Sequence, residues 1–342
     1  MSAPTTGLRP SSLSWASVLE FWRSIGQTDA VRAAPSDRLR ADGVVRFFFV
    51  GLMAVAVLPS TAAANGVTVL DDRGRTVQLA EPAERIVSLA PHLTELLFAV
   101  GAGDRIVATV AYADYPEAAR SIPRVGTATQ LDLERLLALS PDLVIAWSSG
   151  SPRGALERLE KLGFTVYYSE PGDFEGIAAD LRRLGQLAGQ EESATTKARA
   201  FLDIITELQD RYSMRPEVTV FYQVWDQPLM TVNDQHLIGR AIALCGGRNL
   251  FGHLDTLVPR PGHEAVIAAD PETIVSGGPG EDRPDWLAEW QRWPQLTAVQ
   301  RNNLFFIPPS LLQRHTPRIA EGTGMLCEAL ETARKRRVEP PR

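Results

Sequence analysis

The chain has 342 residues, of which 44% are hydrophobic and 22% are charged, a globular composition with length enough for two domains. Its formal net charge is -6 and no long basic stripe is present, so the sequence offers no sign of a nucleic-acid partner. The 26 Gly and 24 Pro predict many short turns, as an alternation of strands and helices requires.

Residues 1–64 predict a targeting segment. An apolar run at 47–58 follows Arg46 and precedes Ala62–Ala64, which is the layout of a secretory signal with an Ala-x-Ala cleavage site. The run is shorter than the ~20 residues that a membrane-spanning helix needs. We therefore predict a cleaved signal peptide that ends at Ala64, preceded by a disordered or misassigned N-terminal extension. An uncleaved anchor or a core helix is the alternative.

Residues 65–175 alternate strands and helices and predict an N-terminal lobe. A hairpin is predicted at 66–79, and a buried strand follows at 86–89. A turn at Pro91–His92 and a cap at Thr94 predict the start of the next helix. This alternation favours a parallel sheet with helices on both faces.

Residues 176–214 carry no strand signal and predict a helical connector. A helix of about 25 residues from Ser193 onward would span ~35 Å and act as a rigid link. A second alternating region, 215–342, predicts a C-terminal lobe. The sequence thus predicts an α/β fold in which two Rossmann-like lobes, each with a central parallel sheet, are joined by one long backbone helix.

One phrase occurs twice, at 131–147 and again at 262–275. Each copy places a glutamate, Glu134 or Glu264, near a helix start, a Pro seven residues later, an acid directly after that Pro, and then an apolar strand. The repetition indicates the same element at the same place in each lobe. By itself, an acid in a first helical turn does no more than complement the helix dipole, for about 0.3–1 kcal/mol.

The two cysteines, Cys245 and Cys327, suggest one disulfide in an exported chain, and two free buried thiols are the alternative. The five histidines are scattered, without HxH or HxxxH spacing, so a dedicated transition-metal site is disfavoured. The sequence has no Walker A motif, no GxSxG and no carboxylate–His–Ser set at telling spacing, which argues against an enzyme.

Several segments resemble, in their order and spacing, one family of exported receptors. They are "RIVSLAPHLTELLFAVGAGDRIV", "AYADYP", "LDLERLLALSPDLVIAW", "LCGGRNLF", the second copy of the repeated phrase, "RHTPRI" and "LCEAL". Together they are similar to the helical-backbone periplasmic binding proteins, which are the substrate receptors of ABC importers for metal chelates. The similarity covers residues 83–335 and is strongest to the cobalamin-binding members.

This resemblance implies a monomeric periplasmic receptor whose two lobes face each other across a cleft. Its ligand would be cobalamin or a related corrinoid, and its partners an inner-membrane ABC permease and its ATPase, with no intrinsic cofactor. An iron-siderophore or haem complex is the alternative ligand. In the cobalamin-binding members a disulfide joins the positions that match Cys245 and Cys327. Glu134 and Glu264 match acids that dock onto arginines of the transporter's membrane subunits.

The resemblance and the ends of the predicted strands together give the candidate cleft residues, because open α/β sheets bind ligands beyond the carboxyl ends of their strands. Aromatic walls and a few polar contacts suit a corrin ring. For the aromatic residues the alternative is core packing, and for Arg314 it is a surface salt bridge. The candidates are Pro91, His92, Tyr112, Tyr115, Trp147, Val224, Trp225, Arg260 and Arg314.

Three positions depart from the cobalamin-binding pattern. Ala128 or Thr129 and Arg260 stand where those members have cleft tryptophans, and Ser310 stands where they have an aspartate. Trp225 would replace one lost ring. The ligand could therefore also be another corrinoid, a cobalamin precursor or an iron chelate, and arginines near the cleft would suit an anionic siderophore complex.

Overall fold

A computed structural model describes residues 66–127, 130–278 and 280–337. The predicted signal peptide and the Ala128–Thr129 pair lie outside these residues. Within them, no helix is both long and apolar enough to cross a bilayer. The predicted hairpin is confirmed: β1 (Val67–Leu70) and β2 (Thr76–Leu79) pair antiparallel.

Four parallel strands form the sheet of the first lobe, in the order β4-β3-β5-β6. Apolar side chains from the strands and the helices beside them, such as Val144 and Leu136, are fully buried in its core. The strands are β3 (Ile86–Ser88), β4 (Ile106–Ala108), β5 (Leu143–Trp147) and β6 (Val166–Ser169). The helices are α1 (Pro91–Ala99), α2 (Leu133–Ala138), α3 (Arg153–Lys161) and α4 (Phe174–Leu187), with a 3-10 turn at Gly103–Arg105 and another at Glu117–Ser121.

The second lobe has its own four-stranded parallel sheet, in the order β10-β9-β7-β8. Its core includes the buried rings of Phe221 and Trp290. The strands are β7 (Val218–Gln223), β8 (Gly247–Asn249), β9 (Thr273–Ser276) and β10 (Leu304–Phe306). After the connecting helix α5 (Glu191–Tyr212), the helices are α6 (Leu237–Leu244), α7 (His263–Ala269), α8 (Asp285–Glu289), α9 (Thr297–Gln300), α10 (Pro309–Leu312) and α11 (Ile319–Arg336), with a 3-10 turn at Trp290–Arg292.

Both sheets have the same topology. If the strands of each lobe are counted in chain order, each sheet runs 2-1-3-4. The repeated phrase supplies the third strand in both lobes, β5 or β9, together with the short helix before it, α2 or α7. The α/β fold with two similar lobes is thereby confirmed.

The repeated Pro and acid also have a structural explanation. Ser140 and Asp270, the residues before each Pro, have left-handed φ values of 44° and 41° and turn the chain from helix to strand. The acid after the first Pro, Asp142, accepts backbone N–H bonds from Glu84 and Arg85 at 2.8 and 3.1 Å, just ahead of β3. Its counterpart, Glu272, accepts the N–H of Thr219 in β7 at 3.5 Å. Each acid thus anchors the start of the neighbouring strand.

The predicted connector contains two helices. Gly189, with a φ of 58°, separates α4 from α5. Helix α4 packs on β1 and α1 as well as on α5, so it belongs with the first lobe. Helix α5 joins the lobes and measures about 33 Å at 1.5 Å per residue. Its buried residues recur at helical spacing: Ala194, Ala198, Phe201, Ile205, Leu208 and Tyr212.

The predicted turn at Pro91–His92 and the predicted cap at Thr94 are wrong. Pro91 is the first residue of α1, a position where its missing N–H costs nothing. Thr94 lies inside the helix, and its hydroxyl lies 2.9 Å from that of Ser88 and 2.7 Å from that of Thr109. The hydroxyl group is therefore used to join α1 to the sheet.

The predicted disulfide is confirmed. Cys245, at the end of α6, is bonded to Cys327 in α11, and both residues are fully buried. Arg334 donates to the carbonyls of Cys245 and Gly246 at 2.8 and 3.0 Å, so the end of α6 is held by α11 through charge-assisted bonds as well.

Candidate functional site

Residues from both lobes meet at the carboxyl ends of the strands. In the first lobe, β3 is followed by Pro91 and His92, and β5 ends at Trp147. In the second lobe, the segment 313–318 between α10 and α11 reaches this edge, where the rings of His92 and His315 lie 6.1 Å apart. The structure therefore brings Pro91, His92, Trp147 and Arg314 to one lobe boundary, where a fifth candidate, Tyr115, also meets Arg318 of the second lobe.

Trp147 is partly buried beside His92. The two rings meet edge to face, with centroids 5.3 Å apart. The indole N–H of Trp147 donates to Glu170 at 3.1 Å. This ring is thus neither a fully packed core residue nor a freely mobile surface residue.

Three uncharged imidazoles line the boundary. Burial, with a smaller effect of His315 and Arg314, lowers the pKa of His92 to about 3. Burial and His315 lower the pKa of His236 to about 4, and burial lowers the pKa of His315. The rings of His236 and His315 are 6.1 Å apart. All three side chains are neutral at neutral pH, so this part of the boundary is aromatic and carries no positive charge from histidine.

His236 and His315 are absent from the candidates derived from sequence. His236 begins α6, where its Nδ1 accepts the N–H of Ile238 at 3.1 Å, and His315 lies in an irregular segment. Neither position has a pattern that would predict its neighbours. No group of three or more His, Cys, Asp or Glu in the described part of the chain is placed to hold a metal ion.

Two arginines of the second lobe form ion pairs with the first lobe. Arg318 binds both carboxylate oxygens of Glu95 at 2.7 Å, and its guanidinium lies 3.8 Å from the ring centroid of Tyr115. Arg314 donates to Asp114 at 2.9 Å and lies 3.8 Å from Glu95. Arg314 thus forms a salt bridge, which was the alternative to a role in the cleft. Its partner Asp114 lies in the first lobe, so this salt bridge joins the two lobes.

Glu95 and Arg318 were not predicted as a pair. Glu95 is 3% exposed although it is charged, and a buried charge of this kind needs a partner. The partners are 223 residues apart in the chain, so no local spacing could reveal them. Tyr112, by contrast, is 81% exposed, and only its backbone carbonyl meets Arg314, at 3.4 Å.

The other second-lobe candidates follow β7 or precede α7. The N–H of Val224 donates to the carbonyl of Met230 at 2.9 Å. Trp225 is 43% exposed, and its ring lies edge-on to Trp286 with centroids 5.6 Å apart. Arg260 is exposed. The structure records no contact of these residues with Trp147 or His92 within the described ranges.

The two repeated glutamates occupy equivalent exposed positions. Glu134 lies in the first turn of α2 and Glu264 in the first turn of α7, and both side chains face solvent. Asp132 caps α2 by accepting the N–H of Arg135 at 3.0 Å. Both carboxylates are therefore free to meet a cationic partner surface. Ser310, the position that departs from an aspartate, instead donates its hydroxyl to Glu281 at 2.7 Å.

Comparisons with known proteins agree with this architecture. The family model described as periplasmic binding protein matches residues 86–311. A vitamin B12-binding protein of Vibrio campbellii is 34% identical over 256 residues, which are 75% of this chain and 92% of the relative. The crystal structure of the periplasmic vitamin B12 binding protein of Vibrio cholerae is 33% identical and superposes with a TM-score of 0.68, covering 74% of this chain and 99% of that one.

A more distant neighbour shares the fold alone. The periplasmic heme-binding protein of Roseiflexus is 23% identical and superposes with a TM-score of 0.65, over 73% of this chain and 99% of that one. The same two-lobed fold thus serves proteins named for different ligands, so the ligand must be argued from side chains.

Proposed function

The chain belongs to the periplasmic binding protein family, and on that premise we propose that it captures a corrinoid, cobalamin or a close relative, between its lobes. It then delivers this ligand to an ABC importer of the inner membrane. The mature receptor begins after a signal peptide cleaved behind Ala64, works in the periplasm as a monomer, and catalyses no reaction.

One observation carries this proposal. Trp147 and His315, both partly exposed, pack near the buried ring of His92 and form an uncharged aromatic surface where the carboxyl ends of two like sheets meet. A corrin ring is broad and largely apolar, with amides around its rim, and such a surface suits its face. Tyr112 and Trp225, both exposed, are proposed as further contacts from either lobe, with Val224 beside Trp225.

Delivery is assigned to the repeated glutamates. Glu134 and Glu264 stand exposed on equivalent helices of the two lobes, and a carboxylate on each lobe fixes a receptor on its permease in one orientation. Paired arginines on the permease would bind them through charge-assisted hydrogen bonds. The ATPase that drives the importer needs no contact with this chain.

A titration tests the ligand. Calorimetry of the purified mature protein with cyanocobalamin should show one site with micromolar or tighter affinity, and ferric siderophores or haem should bind more weakly. An anionic ferric siderophore is the second candidate, because Arg260 presents an exposed positive charge in the loop before α7. Tight siderophore binding without any response to a corrinoid would replace the first assignment by the second.

A further inference from the structure

Resting on the proposed function, we infer that Glu170 and Gly150 are positioning residues, which hold the ring of Trp147 ready for the ligand. Neither residue needs to touch the ligand. Glu170 fixes the indole at its nitrogen, and Gly150 leaves the space in which the six-membered part of the ring lies.

Glu170 follows β6, the neighbour of β5 in the sheet. Its Oε1 accepts the indole N–H of Trp147 at 3.1 Å and the hydroxyl of Ser149 at 3.0 Å, and its Oε2 accepts the backbone N–H of Ser149 at 2.7 Å. The carboxylate thus ties the ring to the turn that directly follows it. The backbone of Glu170 is held in turn, since its N–H donates to Asp72 in the β1–β2 turn at 2.5 Å.

Gly150 lies directly against the ring. A Cβ at this position would fall 1.9 and 2.3 Å from two atoms of the six-membered ring of Trp147, closer than any side chain tolerates. The turn is closed by Ser151, whose hydroxyl accepts the backbone N–H of Trp147 at 3.0 Å. Any residue larger than glycine at 150 would therefore displace the indole.

These contacts fix the ring from several sides before any ligand arrives. The ring of His92 packs at a right angle to the ring of Trp147, Glu170 binds the indole nitrogen, and Gly150 lies against the six-membered ring. An aromatic wall that is already ordered loses little side-chain entropy on binding, and this preorganisation raises affinity without a new contact. The carboxylate strengthens the arrangement, since a charged acceptor makes a stronger hydrogen bond than a neutral one.

A double-mutant cycle tests whether Glu170 acts through the indole. In the wild-type background, Glu170→Ala should weaken cyanocobalamin binding about tenfold, the loss expected for one hydrogen bond to a charged group. In a Trp147→Phe background the loss should be much smaller, because phenylalanine has no N–H to hold and only the bonds to Ser149 remain to be lost. Equal losses in both backgrounds, or no loss in the wild type, would overturn the inference.

Matched variants control for folding. Glu157→Ala removes an exposed carboxylate on α3 of the same lobe and should leave affinity and the unfolding midpoint unchanged. Glu170→Gln keeps an acceptor for the indole and should lose about threefold or less. Gly150→Ala should weaken binding as much as Trp147→Phe does, with circular dichroism unchanged; full affinity in this variant would contradict the role of Gly150.

A measurement without ligand separates this inference from the proposed function. In protein labelled with ¹⁵N-tryptophan, the indole N–H signal of Trp147, assigned by its loss in Trp147→Phe, should exchange slowly with solvent. Glu170→Ala should speed that exchange and shift the signal. An unchanged signal would overturn the positioning role even if cyanocobalamin binds, and a changed signal would leave that role standing even if no corrinoid binds.

Discussion

The two lobes share one topology but support the repeated element differently. In the first lobe the Asp132 carboxylate caps α2, whereas α7 starts at Gly262 without a side-chain cap. There His263 stacks instead on Trp293, with centroids 5.4 Å apart and planes at 27°. What recurs is the exposed glutamate, the left-handed residue before Pro and the anchoring acid, so these features rather than the capping chemistry define the element.

The ends of the repeated strands differ as well. Strand β5 ends in Trp147, while β9 ends in Ser276 and continues into Gly277. A Cβ on Gly277 would lie 2.1 Å from the side-chain nitrogen of Gln313, which fills the place at that strand end. At this strand end the first lobe thus presents the aromatic ring of Trp147, whereas the second presents the backbone of Gly277 and the side-chain amide of Gln313. The two sides of the lobe boundary therefore differ in chemistry.

The largest expected effect is on uptake, when the equivalent glutamates of both lobes are changed together. Reversing both repeated charges, with Glu134→Arg and Glu264→Arg, should abolish uptake in cells and leave calorimetric affinity for cyanocobalamin unchanged, because both side chains are exposed. Each single variant should retain part of the uptake if the lobes contribute equally. Loss of ligand binding in the double variant would show that the glutamates serve the cleft.

The contact between the lobes should have the next largest effect. Arg318→Ala leaves Glu95 buried without its main partner, and breaking a buried pair in this way costs about 3–5 kcal/mol. Urea unfolding measures this loss. Arg153→Ala, which breaks the exposed pair with Glu157, is the control and should change the free energy of unfolding by less than about 1 kcal/mol. Similar values for both would show that the interlobe pair is not desolvated.

Acid should weaken the lobe boundary through its histidines. The folded pKa values of His92 and His236, about 3 and about 4, lie below the unfolded value of about 6.5, so the unfolded chain binds more protons as the pH falls. The stability that these two histidines contribute is therefore fully present above about pH 6.5 and is lost progressively toward pH 3–4, where folded His92 would charge beside His315 and Arg314. Thermal midpoints measured against pH should show this slope.

Substitutions show which histidines cause the pH dependence of the thermal midpoint. His92→Gln with His236→Gln should reduce the pH dependence between pH 6.5 and 4, since these two side chains no longer titrate and only His315 remains of the three buried imidazoles. His253→Gln, at an exposed position of the second lobe, should leave the slope as it is. An unchanged slope after the double substitution would place the acid sensitivity in other groups.

The smallest expected effect on stability comes from the helix caps, which differ between α2 and α7. Asp132→Ala removes the cap of α2 and should cost about 1 kcal/mol. Gly262→Asp adds a cap to α7, where no atom lies within 4 Å of the new Cβ, and should stabilise by a few tenths of a kcal/mol. Denaturant midpoints measure both. If Gly262→Asp destabilises the protein, the stack of His263 on Trp293 must depend on the uncapped start.

Local patterns predict much of this fold. The repeated helix, Pro and strand are visible in the sequence because helix start, helix end and apolar strand are each determined by neighbouring residues, and the structure places them in equivalent sheets. The alternation of short elements likewise predicts two parallel sheets. The start of α1 at Pro91 shows the limit of prediction from local patterns. Thr94 has the residue type of a helix cap, but its hydroxyl forms a hydrogen bond with that of Thr109, which is distant in the chain.

Less of the candidate site than of the fold can be predicted from the sequence. His92 and Trp147 could be named because each follows or ends a strand. The contacts of His92 with His315 and of Glu95 with Arg318 each join residues more than 200 positions apart. Such contacts leave no periodic pattern in the sequence. Glu170 lies only 23 positions from Trp147, yet the bond depends on β6 pairing with β5.

The disulfide has a consequence for the connectivity of the second lobe. It closes a covalent ring between Cys245 and Cys327, 82 positions apart, and this ring contains β8, β9, β10 and α7. Of the four strands in the sheet of the second lobe, only β7, the inner strand between β8 and β9, lies outside it. A single protease cut inside the ring therefore leaves every piece of the receptor joined, and the nicked chain runs as two fragments only after reduction.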